Sequence, residues 1–165
     1  MFNFLNRLRS NDGNSPDLEG LSHQVEEVRK LAIYDRETGL YAFWYLELRG
    51  DDECNRARRY ESPLTLAIIE GEGGANSWAM QGVLTNWLRL HLRNVDVTGY
   101  LGDCRFVVVL TNTDVSGAQR ILRRLQTDVG DVIAALSSLP ADGDNFETLY
   151  AAAQAKLVEV REATG

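Results

Sequence analysis

The residues able to do chemistry gather at the end of one apolar run and in one short stretch further along. Glu70 closes the run Leu64 to Ile69, and Gly102-Asp103-Cys104-Arg105-Phe106 sets an acid, a thiol and a cation between apolar arms. Carboxylates at a strand end and a hairpin tip are what divalent metal and phosphate chemistry would use, because Mg²⁺ takes hard oxygen ligands. A few residues earlier, Arg93-Asn94-Val95-Asp96 places a guanidinium three positions before a carboxylate. An Arg fork can grip a phosphate, and a neighbouring carboxylate can accept from a donor beside it. The alternative is a helix-end ion pair worth about 0.3 kcal/mol. Arg-x-x-Asp also occurs at Arg9/Asp12 and Arg49/Asp52, so its place in the fold has to decide.

Several elements must position these groups. Leu18, Leu21, Val25, Val28 and Ala32 alternate spacings of three and four, a heptad-like seam that predicts a helix over 18–34. That helix either pairs with a second copy or lies on its own domain. Asp35 to Tyr41 breaks it at Gly39, and a second helix runs from about 42 to 60, burying Phe43, Leu46 and Ala57. Leu64 to Ile69 is almost wholly apolar and reads as a central strand covered on both faces. A turn at 71–74 leads to a helix over 77–93 with Val83, Leu84, Trp87, Leu88 and His91 inward. The hairpin follows, then a helix over 115–129 with Asp114 as its cap, a strand over 131–136, a loop at 139–144 and a last helix over 146–163. Interleaved helices and strands around a hairpin predict an α/β fold, an α+β sandwich with a mixed central sheet and flanking helices, preceded by an N-terminal helix.

With 165 residues, 44% apolar and 25% charged, the composition is that of a globular domain with a short extension. Residues 1–17 read as a tail and linker whose first nine, with Phe2, Phe4, Leu5 and Leu8 beside Arg7 and Arg9, can form an amphipathic turn. No apolar run reaches the roughly 20 residues of a membrane span, so no integral membrane segment is expected, and the cytoplasm is the expected compartment. Cys54 and Cys104 make no disulfide framework, and neither they nor His23 and His91 have metal spacing. A net charge of −7 argues against nucleic acid, which needs a basic face, while leaving room for a small anion at a local Arg cluster.

In order and wording the chain resembles the GGDEF domain of diguanylate cyclases, which make cyclic di-GMP from two GTP molecules. Asp35-x-x-Thr38-Gly39-Leu40-Tyr41 is similar to the opening D-x-L-T-G-L-x-N-R, with Ala42 and Phe43 in place of the final pair. Tyr100 to Phe106 lies on R-x-G-G-D-E-F, and Ser138 to Gly143 matches the loop before the last helix. The likeness covers about residues 31–163 and implies a palm-like nucleotidyl-cyclase domain over 35–165, behind the 18–34 helix.

Residue by residue, the resemblance implies a degenerate, non-enzymatic domain with no catalytic residues, no metal and no cofactor. The signature acids are replaced by Cys104 and Arg105, a poor Mg²⁺ ligand and a repelling cation, and its second glycine by Asp103. The family's D-x-D-H-F-K-x-x-N-D segment, which carries guanine and phosphate contacts, is missing between Glu70 and Arg93. What is retained is the inhibitory product site: Arg93 and Asp96 stand at the family's R-x-x-D, five residues before the signature. Arg124 falls where the family has an Arg that reaches a ligand dimer shared between two domains, unless it is only one of the surface cluster Arg120, Arg123 and Arg124. Tyr100 either stacks on a purine or fills the strand. The expected partners are cyclic di-GMP, as an intercalated dimer, a protein partner and a second copy of the chain. The competing expectation is a ligand-free scaffold that uses the old fold and the N-terminal helix to engage a protein.

Overall fold

The computed structural model describes residues 18–72 and 77–164. The tail at 1–17 and the second half of the turn at 71–74 lie outside the described residues. The chain divides into two units, 1–32 and 33–165. In the first, helix α1 (Leu18–Ile33) carries Leu21, Val25 and Val28 on its surface, exposed along the seam.

The second unit runs β1 (Tyr41–Ala42), α2 (Phe43–Tyr60), β2 (Leu64–Gly71), α3 (Ser77–His91), β3 (Val97–Gly102), β4 (Arg105–Thr111), α4 (Val115–Val129), β5 (Val132–Leu139) and α5 (Phe146–Thr164). Its five-stranded sheet has the order β1-β3-β4-β2-β5, with β1 parallel to β3 and the remaining pairs antiparallel. This is the expected mixed sheet with flanking helices.

Alternation along β2 builds both cores. Leu64, Leu66 and Ile68 join Leu46, Phe146 and Leu149 on the face covered by α2 and α5. Ala67 and Ile69 join Leu84, Leu88 and Leu125 on the face covered by α3 and α4. The strand is apolar throughout because neither face meets water.

Helix boundaries follow their signals. Asp114 caps α4 by accepting from the Gly117 amide at 2.7 Å, as its position predicts. Helix α2 stops at Glu61, whose left-handed backbone lets its amide reach the Ala57 and Arg58 carbonyls.

The inward stripe expected for α3 is narrower than the spacing suggests. Leu84, Trp87 and Leu88 are buried, but Val83 and His91 face out. His91 stacks on Trp87 at 4.4 Å instead of packing in the core. Trp78, in the first turn of α3, is 81% exposed. Strand β5 extends past the expected residue 136 to Leu139 because β2 pairs with it along its full length, Leu64 opposite Leu139.

Candidate functional site

The hairpin tip is built from backbone conformations that its residues adopt unwillingly. Gly102 and Arg105 pair across a two-residue turn, Asp103-Cys104, with φ +49° and +57°. That is the handedness of a type I′ turn, which matches strand twist but costs a residue with a Cβ about 1 kcal/mol. Cys104 is buried, its carbonyl accepting from the Gly71 amide at 3.0 Å, and burial pushes its thiol pKa up. The thiol is therefore protonated and inward, unsuited to a hard cation.

Beside the tip, a polar chain spans the cleft. The Tyr100 hydroxyl accepts from the Cys104 amide at 3.4 Å and donates to Gln81 Oε1 at 2.6 Å, and Gln81 Nε2 donates to Glu37 Oε2 at 3.0 Å. Tyr100 also packs on Phe106, ring centroids 5.1 Å apart. It fills the strand and ties the tip to α3, one of the two roles its sequence left open.

Glu70 stands opposite Arg105 in the β2–β4 register, and Arg105 Nε lies 3.1 Å from its Oε2. Arg161 of α5 donates to the same oxygen. The strand-end carboxylate is thus held by two guanidiniums, and the local charge is positive. Among the described residues no group of three His, Cys, Asp or Glu gathers in metal-binding geometry.

The opening word, Asp35 to Leu40, forms a side-chain turn. Asp35 Oδ1 accepts from the amide and hydroxyl of Thr38 at 2.8 and 2.7 Å. Gly39 sits at φ +65°, and a Cβ there would fall 2.5 Å from Arg89 Nη2, which donates to the Thr38 carbonyl. Tyr41 and Ala42 then pair with Gly99 and Tyr100 as β1. Gly39, Leu40 and Tyr41 line a cavity of about 240 Å³ together with Arg89, Arg93 and Asp96.

Arg93 and Asp96 are brought together just past the end of α3. Arg93 Nη2 lies 3.2 Å from Asp96 Oδ1 and also donates to the Thr111 carbonyl at 2.5 Å and the Thr113 hydroxyl at 2.9 Å. The Arg93 side chain remains 53% exposed, whereas that of Asp96 is 1% exposed. Asp96 also accepts from the Arg93 and Thr111 amides at 3.0 and 3.2 Å. A carboxylate with this many donors is saturated. It fixes the guanidinium and the β3–β4 junction, and it has no lone pair to spare for a guanine edge while Arg93 stays in place.

Arg124 touches neither. It projects from α4, 65% exposed, with Nε 3.7 Å from Asp128 Oδ2. Trp87 Nε1 donates to that same Asp128 oxygen at 2.8 Å, tying α3 to α4. Sequence reasoning missed Arg161, Gln81 and Thr113 as members of this neighbourhood. Their only signal is the fold, since each reaches its partner from another element.

No protein-family model matches the sequence, and no curated protein matches it either. Solved structures do share its fold. The coiled coil and GGDEF domain of DgcB from Caulobacter crescentus, in complex with c-di-GMP, is similar at TM-score 0.79 and 15% identity, over 88% of this chain and 89% of that one. A sensory box/GGDEF family protein from Caulobacter crescentus CB15 is similar at 0.71 and 19%, over 80% of this chain and 99% of that one. Diguanylate cyclase SiaD from Pseudomonas aeruginosa, in complex with its activator SiaC, is similar at 0.70 and 18%, over 88% of this chain and 64% of that one. The chain has the fold of GGDEF domains.

Proposed function

We propose that this chain is a GGDEF-fold domain without cyclase activity that serves as a receptor for cyclic di-GMP in bacterial second-messenger signalling. The observation that carries the first half is the cluster at Glu70. The carboxylate that would hold metal is neutralised by Arg105 and Arg161. A divalent cation would have to displace two guanidiniums and enter a positive field.

The second half rests on Arg93. Its guanidinium is half exposed yet held by Asp96, Thr111 and Thr113, so little conformational entropy is lost when an anion binds. Arg93 grips the phosphate or the guanine O6/N7 edge, Asp96 holds Arg93 in position, and Arg124 adds a second cation from α4. A ligand dimer shared through Arg124 would link two copies of the chain. The c-di-GMP complex of the similar DgcB domain supports this choice of ligand. The reading requires a compartment where the messenger circulates, the cytoplasm, and among the described residues no helix is long and apolar enough to cross a membrane.

A second reading has its own observation. Leu21, Val25 and Val28 of α1 are exposed along one seam, a surface fit for a protein partner or a second copy without any ligand. Calorimetric titration of the full chain with cyclic di-GMP separates the two: binding supports the receptor, and none at high micromolar ligand supports the scaffold.

A further inference from the structure

We propose that the outward face of α2 is a self-complementary docking surface on which a second copy of this chain packs antiparallel, the acidic half of one helix against the basic half of the other.

The face is defined by the helical period. Trp44, Leu48, Asp51, Asn55, Arg58 and Arg59 fall on one side of α2 and are exposed, with Glu47 and Asp52 on its borders. Leu46, Gly50, Glu53, Cys54 and Ala57 face the core instead. Along the outward stripe the charge is segregated, acids up to Asp52 and arginines from Arg56 onward.

These charges are only partly spent within the domain. Glu47, Asp51, Arg58 and Arg59 make no ion pair among the described residues. Arg58 instead donates to Asn55 at 2.6 Å, Asp51 accepts from the Phe146 amide at 3.3 Å, and Asp52 lies 3.7 Å from Arg49. Glu147, at the start of α5, extends the acidic end beside a cleft lined by Trp44, Glu47 and Leu48. Helix-dipole compensation accounts for Arg58 and Arg59 in the last turn, but the first turn holds no acid, so it does not account for the acids.

A two-fold axis crossing the stripe near Asn55 sets Asp51 and Asp52 of one copy against Arg59 and Arg58 of the other, twice over. Every contact is made reciprocally, the condition for a closed dimer. A parallel arrangement would set like charges side by side. Antiparallel packing also aligns the two helix dipoles favourably. The surface is independent of the ligand site proposed above.

Charge exchange tests it on the full chain without ligand. The wild type should sediment as a dimer in about 50 mM salt and dissociate toward monomer in about 500 mM, where charges are screened within a few ångströms. Arg58→Glu with Arg59→Glu, and separately Asp51→Lys with Asp52→Lys, should each weaken self-association by at least about tenfold. Mixing the two variants should restore a dimer, because each then offers one uniform sign to the other. Should reversal at the helix end unfold the chain, Arg58→Gln with Arg59→Gln should still weaken the dimer. A monomeric wild type, a dimer indifferent to these substitutions and to salt, or a mixture that stays monomeric would each overturn the proposal.

Discussion

Arg105 Nε sits 3.1 Å from the Glu70 carboxylate, directly across the β2–β4 ladder. The cation at the hairpin tip thus occupies the strand-end acid. Arg161 reaches the same oxygen from α5, so removing Arg105 alone leaves Glu70 paired. Purified protein with GTP and Mg²⁺ should form no cyclic di-GMP, and Cys104→Glu with Arg105→Glu should not restore turnover. Product above the no-enzyme control, by chromatography, would contradict this.

The same cluster should carry stability. Glu70→Ala leaves two partly buried guanidiniums facing each other, and unfolding in urea should show a loss of about 2–3 kcal/mol. Arg105→Ala should cost less, because Arg161 still balances the carboxylate. Equal losses from the two substitutions would mean that the carboxylate is not shared.

Asp96 and Arg93 should separate by what they cost. Asp96→Ala removes a buried acceptor and strands the Thr111 and Arg93 amides, so it should destabilise the fold by about 2–4 kcal/mol and abolish ligand binding. Arg93→Ala takes away an exposed side chain whose loss should cost about 1 kcal/mol or less, while abolishing ligand binding as completely. Denaturant curves beside titrations check this, and a stable Asp96→Ala variant that binds normally would refute the positioning role.

Acid stability should depend on Asp142. The Lys156 ammonium, 2.7 Å away, and then the Ser138 amide hold its carboxyl below the usual range. A depressed folded pKa gives stability that is complete above the unfolded value of about 4 and is lost as pH falls through the folded one. Stability should therefore decline below about pH 4, and Asp142→Asn should flatten that part of the profile while costing about 1 kcal/mol at neutral pH. A profile unchanged by the substitution would show that the pair contributes nothing.

Elements with a local period were legible in the sequence. Helices α2, α4 and α5 and the β3–β4 hairpin lie within a residue or two of their spacing-based bounds, because apolar periodicity and caps such as Asp114 are local. The two-residue strand β1 was not legible, since it exists only through its parallel pairing with Gly99 and Tyr100 more than fifty positions on. His91 and Val83 misled because helix spacing gives the centre of a buried face but not its width. At the candidate site, the sequence offered Arg93 and Asp96 as a pair, but not which of them is buried. That is decided by Thr111, whose amide and carbonyl engage them from the next strand. Arg161 and Glu70 lie 91 positions apart, a pairing no local pattern announces.

Arg93 is proposed to recognise cyclic di-GMP in a domain that does not make it. Isothermal titration calorimetry of the full chain with cyclic di-GMP, run beside Arg93→Ala and Arg124→Ala, tests it most directly. Binding should be saturable, abolished by Arg93→Ala and weakened by Arg124→Ala. No heat at high micromolar ligand, or binding that persists in Arg93→Ala, would contradict it.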